Sequence, residues 1–272
     1  MKIKLAKNQI SSSMITKQKN AGSRRAIALA VALMCVGSGL AFAADEAAPT
    51  TKQGWDSTAA AALTLTRGNS DTSVATLSMD TKRKWKQDEV ALGISGGYGE
   101  SQVNGVNTKN TEFVQGYGQY NRLFSDRFYG GLRLDGQYDG IAGIDYRFKV
   151  SPIAGYYLIK NTNMTLAVEG GPSLIVEHLA GQPSDSYWAA RFAERFEDKL
   201  TPSTKVWESL EYLPKVDQWA ENYLLNFEAG IDTAITKHWS LRVIFQDNYA
   251  NEPATGRKKN DIRLMAGTAY KF

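Results

Sequence analysis

The chain has 272 residues and a formal net charge of +4, with 13 Tyr, 10 Phe, 6 Trp and 24 Gly. The charge is uneven, because residues 1–43 hold seven Lys or Arg and no Asp or Glu, which leaves 25 basic and 28 acidic residues in 44–272. A net charge of −3 on that part gives no electrostatic reason to expect nucleic-acid binding. One Cys and two His argue against a disulfide framework or a metal site, so we expect no cofactor.

The first segment has the organisation of a secretory signal peptide. The pair Arg24-Arg25 precedes an apolar stretch, residues 26–40, and a small-x-small triplet follows that ends at Ala43. This order predicts export and cleavage after Ala43, with residues 44–54 as a short linker. A single membrane anchor is the alternative, but the apolar stretch is short for a helix that needs roughly 20 residues.

From residue 55 onward, apolar residues recur at every second position between clusters of turn-forming residues, which indicates β-strands. Short polar connections alternate with mostly longer ones, notably 101–110, 179–186 and 250–260. This alternation and an even strand number are typical of bacterial outer-membrane barrels. We therefore predict for 55–272 an all-β fold, a transmembrane antiparallel up-and-down β-barrel. Its twelve predicted strands are residues 55–66, 72–85, 89–100, 111–124, 127–139, 144–159, 164–178, 187–200, 205–214, 221–235, 239–249 and 261–272.

The final predicted strand shows which face would meet lipid. Ile262, Leu264, Tyr270 and Phe272 share one side, whereas Arg263 lies on the other. Other strands divide in the same way, so we expect charge to avoid the outer face and aromatic residues at strand ends to form two girdles. The girdle residues would be Trp55, Trp85, Tyr98, Phe124, Tyr138, Trp188 and Trp239. The alternative is a soluble sandwich or lipocalin-like barrel, in which the apolar face turns inward.

Several motifs follow one another in a recognisable order and spacing. They lie at residues 63–71, 138–147, 169–172, 252–253 and 258–264, with Tyr270-Lys271-Phe272 at the end. In these motifs the chain resembles the YdiY-like family of salt-stress-induced outer-membrane proteins, which has no assigned biochemical activity. It departs from the family at Asn260-Asp261, where a Thr-Asp pair is usual. The resemblance implies a bacterial outer-membrane barrel that serves envelope adaptation to salt or osmotic stress.

The last strand also resembles the signal that barrel-assembly machinery reads in outer-membrane proteins. Its residues in that role would be Ile262, Leu264, Tyr270 and Phe272. The expected partners are therefore this machinery during biogenesis and outer-membrane lipid afterwards, for a protein that we expect to be monomeric.

Charged residues collect on the predicted lumen face in equal numbers of each sign. Two interpretations stay open. The charges either pair across strands and fill a plugged interior, or they line a narrow pore for small solutes in which Arg side chains attract anions. The candidate lining residues are Arg133, Asp135, Asp145, Arg147, Lys149, Glu169, Arg191, Arg195, Glu228, Arg242 and Arg263.

One pair of residues suggests an enzyme, because some outer-membrane lipid hydrolases use a His and a Ser two positions apart on one strand. His238 and Ser240 have this spacing. The predicted topology places them at a periplasmic turn, and we identify no acidic or amide residue to orient the His. We therefore predict that the protein is not an enzyme, and that it is either a pore or a structural or surface-contact barrel.

Overall fold

A computed structural model describes residues 54–66, 71–103 and 106–272 as a closed β-barrel of twelve antiparallel strands. The predicted signal peptide, 1–43, and nearly all of the predicted linker, 44–54, lie outside the described residues. In the described ranges no helix is both long and apolar enough to cross a membrane. The strands are β1 (Asp56–Thr66), β2 (Asp71–Lys84), β3 (Asp88–Val103), β4 (Val106–Leu123), β5 (Phe128–Asp139), β6 (Ile144–Lys160), β7 (Met164–Leu179), β8 (Asp185–Asp198), β9 (Thr204–Pro214), β10 (Tyr223–Ala234), β11 (Trp239–Ala250) and β12 (Asn260–Lys271).

Each strand pairs with its neighbours in sequence, and β1 also pairs with β12, which closes the barrel. We call one end of the barrel the turn end, because it carries the short connections 85–87, 124–127, 161–163, 199–203 and 235–238. The opposite end is the loop end, with the connections 140–143, 180–184, 215–222 and 251–259. Because outer-membrane barrels place their short turns in the periplasm, we assign the turn end to that side.

The predicted twelve-strand barrel is confirmed, but the prediction was wrong for one connection between strands. The predicted long loop at 101–110 is instead a strand extension, since β3 runs to Val103 and β4 begins at Val106. Glu100 lies opposite Lys109 in this hairpin, after a register shift at Gly99. The residues of this extension are polar because strands that project beyond the membrane have water on both sides. Such strands have no alternation of apolar and polar residues.

The outer surface of the barrel is apolar. Leu77, Ile94 and Leu264 expose 67%, 59% and 73% of their area, and all seven predicted girdle residues are exposed as well. A soluble barrel would bury such side chains, whereas a barrel in lipid presents them to hydrocarbon. The lipocalin-like alternative is therefore wrong.

Two carboxylates contradict the expectation that charge avoids the outer face. Glu194 of β8 and Glu208 of β9 each stand next to residues that point inward, Arg195 and Trp207, so strand alternation turns the two Glu outward. The register makes them diagonal neighbours on adjacent strands. The physical reason is strand alternation: Arg195 points inward, where it pairs with Glu197, so the preceding Glu194 faces out.

The residues of the predicted assembly signal lie along the outer side of the last strand. Ile262, Leu264 and Phe272 are exposed. The ring of Tyr270 packs against that of Trp239, with 5.0 Å between centroids. The placement is that of a lipid-facing edge, and recognition by assembly machinery stays a prediction.

Candidate functional site

The barrel encloses a cavity of ≈ 690 Å³ that is lined by charged, polar and apolar residues of all twelve strands. It begins at the turn end, where Pro202 and Lys237 line it, and extends past the middle of the barrel to Arg147 and Asn248. Inward side chains alternate with outward ones along each strand, so the charged positions of neighbouring strands converge on this space. Nine predicted lining residues lie there: Arg133, Asp135, Arg147, Lys149, Glu169, Arg191, Arg195, Glu228 and Arg242.

The other two predicted lining residues lie elsewhere. Asp145 is not among the described residues that line the cavity, because the pairing of β6 with β7 shifts register between Ile144 and Tyr146. Its carboxylate is instead half exposed and lies 3.2 Å from Nδ1 of His178. Arg263 lines a second, smaller cavity of ≈ 320 Å³ towards the loop end.

At mid-height a closed circuit of hydrogen bonds and ion pairs lies along the wall of the main cavity that β4 to β9 form. Gln119 accepts a bond of 3.0 Å from Arg133 and donates one of 2.7 Å to Glu169. Arg191 donates to Glu169 at 2.8 Å and to Glu211 at 2.7 Å. Lys149 donates to Glu211 at 2.7 Å and lies 3.9 Å from Asp135. Arg133 closes the circuit with a bond of 2.8 Å to Asp135.

This mid-barrel circuit contains three cations and three carboxylates, so its charges balance. Paired charges with satisfied hydrogen bonds are the form in which ionic groups tolerate burial. Sequence reasoning missed two of its members, Gln119 and Glu211. The available signal for Glu211 was the alternation along β9, where it shares a side with Lys205 and Ser209.

A second group of charges lies nearer the turn end, and we call it the Glu197 cluster. Arg195, Lys205 and Lys82 all approach the carboxylate of Glu197, at 3.0, 3.2 and 3.4 Å. These three cations expose 48%, 38% and 37% of their side chains. Lys82 is on β2 and Glu197 on β8, which are six strands apart in both directions around the barrel, so this contact crosses the lumen.

Between β6 and β10 the loop end of the lumen is packed rather than open. Arg147 donates to Glu177 at 2.5 Å, and the hydroxyl of Tyr187 donates to the same carboxylate at 3.1 Å. Beside this ion pair lies a buried apolar cluster, which we call the loop-end core and which consists of Ile175, Tyr187, Ala189, Leu213 and Leu224. Strands β8 to β10 therefore carry apolar inward side chains at the loop end, whereas their inward side chains nearer the turn end are charged.

The connection between β11 and β12 covers the loop-end core from outside. The carbonyl of Pro253 accepts a bond from Gln182 at 3.3 Å, and the main-chain N–H of Asn251 donates to the carbonyl of Tyr223 at 3.0 Å. Ala254 is buried against Ile144 in a small apolar cluster. This connection thus ties three other loop-end elements together over the lumen.

The His and Ser considered for lipid hydrolysis lie at the turn end, as the sequence predicts. Both line the main cavity, and Nδ1 of His238 lies 3.0 Å from the main-chain oxygen of Lys271. A main-chain carbonyl in that position is a different partner from the carboxylate or amide that orients a catalytic His. Within the described ranges no group of three or more His, Cys, Asp or Glu side chains is arranged to hold a metal ion.

Comparison with curated proteins found no match. Among solved structures, the chain is similar to the NanC porin, with 6% identity over 79% of this chain and 96% of that one and a TM-score of 0.45. It is also similar to an outer membrane channel from Pseudomonas putida F1, with 12% identity, coverages of 84% and 100% and a TM-score of 0.45. A third is the translocator domain of the autotransporter NalP from Neisseria meningitidis, with 12% identity, coverages of 80% and 87% and a TM-score of 0.43. Identities this low give no information about activity.

The family comparison is more specific than these structural likenesses. Residues 59–272 match the family described as "Protein of unknown function, DUF481", which comprises YdiY-like salt-induced outer membrane proteins. The match covers every strand of the barrel from the fourth residue of β1 onward. The closed barrel and its apolar exterior agree with that assignment. The chain therefore belongs to the DUF481 family and is an outer-membrane β-barrel protein.

Proposed function

We propose that the protein is a narrow passive conduit for small polar solutes across the outer membrane. The observation that carries this proposal is the main cavity, which is solvent-accessible, lined by all twelve strands and rich in charged side chains. Charged and hydrogen-bonding linings are the features by which pores admit ions and polar solutes.

The width of the cavity limits what such a conduit would pass. Because Lys82 reaches Glu197 across the lumen, a solute must pass beside or displace that contact. Both side chains are partly exposed and therefore able to move at small cost, since solvent-exposed ion pairs contribute about 0–1 kcal/mol. Small ions and small polar molecules are the expected solutes.

Conductance of the refolded mature protein in planar bilayers tests the conduit. We expect small current steps from the wild type and larger ones from Lys82→Ala, because the substitution removes the side chain that crosses the lumen. Arg122→Ala is the matched control, since this exposed residue pairs with Asp88 at the turn end at 2.8 Å and does not line the main cavity. Absence of current at every voltage from the wild type and from variants with a widened lumen would refute the conduit.

A structural or surface-contact barrel is the second candidate, and the packed loop end favours it. The loop-end core and the connection 251–259 that covers it occupy much of the space through which a solute would leave. This candidate predicts no current from any lumen variant, together with a stably folded protein. The two candidates are therefore separated by the same recordings, provided that heat-modifiable gel migration verifies folding of each variant.

We also propose that the conduit serves envelope adaptation to salt or osmotic stress, as the family resemblance implies. Cells that lack the protein should then resume growth more slowly after a rise in external salt, because small solutes would equilibrate more slowly across the outer membrane. Complementation with the wild type should restore the rate. Equal recovery of deficient and complemented cells would contradict this role.

A further inference from the structure

The main cavity and the smaller second cavity meet at one place in the barrel. Thr76, Phe113 and Met265 line both of them. The second cavity lies between β2, β4 and β12 and reaches the loop end at Asn110 and Asp261. The two cavities together thus trace a path along one wall of the barrel from the turn end to the loop end.

The opposite wall offers a solute less space. There the Arg147–Glu177 pair and the loop-end core fill the interior between β6 and β10, and their side chains are almost fully buried. Close-packed interiors of this kind leave few voids larger than a water molecule. The wall of β2, β4 and β12 is therefore the route of least obstruction.

Three side chains narrow this route, one where the cavities meet and two within the second cavity. The ring of Phe113 is buried and lies over Gly97, where an added Cβ would come within 2.5 Å of the ring. The guanidinium of Arg263 lies over the same ring, 4.2 Å from its centroid, and pairs with the carboxylate of Asp139. Because Asp139 is on β5 and Arg263 on β12, five strands apart, their contact crosses the interior.

One member of this group is held firmly and the other is less constrained. The carboxylate of Asp139 is buried and accepts main-chain bonds from Ile141 at 3.0 Å and from Ala142 at 2.8 Å. Arg263 is more exposed, and its Nη1 has no hydrogen-bond partner among the described residues. Because Asp139 is anchored by these two main-chain bonds, any separation of the pair would be a movement of Arg263.

The charges that line the second cavity indicate which ions a movement of Arg263 would affect. Its described lining contains three carboxylates, those of Glu112, Asp139 and Asp261, and Arg263 is the one cation among them. A cavity lined in this way attracts small cations, and the positive charge of Arg263 opposes their passage.

We infer that Phe113, Asp139 and Arg263 form a second constriction of the conduit, on the loop-end side of the Lys82–Glu197 contact, and that Arg263 determines its charge selectivity. The inference rests on the proposed conduit function. Phe113 sets the width, while the Arg263–Asp139 pair holds the route closed and balanced in charge. Small inorganic ions are the solute class, and Arg263 disfavours the cations among them.

Reversal potentials across a KCl gradient test this inference, because they report charge selectivity rather than stability. Arg263→Gln should raise conductance severalfold and shift selectivity towards K⁺. Asp139→Asn should shift it towards Cl⁻, since Asn keeps an oxygen for the two main-chain N–H donors while Arg263 loses its counter-charge. Phe113→Ala should raise conductance without changing the reversal potential.

The matched control is the exposed Arg122–Asp88 pair, in which Arg122→Gln and Asp88→Asn should leave the reversal potential at its wild-type value. If the protein and the Lys82→Ala variant conduct but Arg263→Gln and Asp139→Asn do not shift selectivity in opposite directions, the constriction lies elsewhere and the inference is wrong. If none of these proteins conducts, the conduit itself is refuted. Heat-modifiable migration of each variant shows that it has folded.

Discussion

The two ends of the barrel use the same alternating strands to opposite effect. At the loop end, inward positions carry apolar side chains such as Ala189 and Leu213, which are almost completely buried. At the turn end, inward positions on the same strands carry Arg195 and Lys205, which border the main cavity. The change occurs within β8 and β9, over about half the length of each strand. One end of the barrel is thus built for stability and the other for access.

The ion pairs at the two ends show what this difference means energetically. Arg147 and Glu177 at the loop end expose 8% and 10% of their side chains, whereas Arg195 and Glu197 expose 48% and 22%. Charges in a packed, low-dielectric interior interact strongly, and each is costly to leave alone. Charges that reach water interact weakly and tolerate the loss of a partner. The same type of contact should therefore have different consequences at the two ends.

The largest expected effect is at the loop end. Glu177→Gln should lower the free energy of unfolding by about 3–5 kcal/mol, because it leaves the guanidinium of Arg147 buried without a counter-charge. The amide can still accept the hydrogen bond from Tyr187, so the change in stability reports the loss of the ion pair alone. Urea unfolding of the barrel in lipid vesicles, followed by tryptophan fluorescence, measures the change.

A double variant, Arg147→Met with Glu177→Leu, provides the control for this prediction. It removes both charges together and should recover most of the lost stability, since well-packed apolar side chains often replace a buried ion pair without loss. A single Glu177→Gln variant as stable as the wild type would mean that the loop end is as hydrated as the turn end.

The sequence was sufficient to predict the barrel because the information for strands is local. Alternation and turn residues are visible within ten or so positions, and β12 follows its predicted faces from Asp261 to Lys271. The extension of the β3–β4 hairpin was missed because its polar residues lack the apolar alternation on which the prediction depended. A register shift at Ile144 likewise removed Asp145 from the lumen, although Arg147 follows the predicted side.

The interior arrangement was not predictable in the same way. Lys82 and Glu197 meet across the lumen although 115 positions separate them, and no local pattern links two such residues. The Arg263–Asp139 pair likewise joins residues that are 124 positions apart in the sequence. Inward charge is thus predictable one strand at a time, whereas its pairing depends on the diameter and stagger of the closed barrel.

The outward carboxylates on β8 and β9 give a second way to compare regions of the molecule. Glu208→Leu should raise the free energy of unfolding by about 1 kcal/mol, because a charged group on the lipid face destabilises a barrel in a depth-dependent way. The same substitution at Glu228, inside the lumen, should have the opposite sign. There the carboxylate accepts bonds from Trp207 at 2.9 Å and Gln246 at 2.8 Å, and Leu would leave both donors without a partner.

Unfolding in vesicles of matched lipid composition measures both Glu variants. A loss of stability in Glu208→Leu would show that this carboxylate is not in contact with hydrocarbon. Glu208 would then not face lipid, as the alternation along β9 implies that it does.

The smallest effect is expected at the turn end, where Arg195→Gln should change the free energy of unfolding by less than about 1 kcal/mol. Glu197 keeps Lys205 at 3.2 Å and Lys82 at 3.4 Å after the substitution, so no carboxylate is left alone. The difference from the wild type should shrink further when salt is raised to 1 M, since screening acts on exposed charges. A loss as large as that of Glu177→Gln would show that the Glu197 cluster is sealed from water. The contrast between a packed loop end and an accessible turn end would then fail, because both ends would depend equally on their ion pairs.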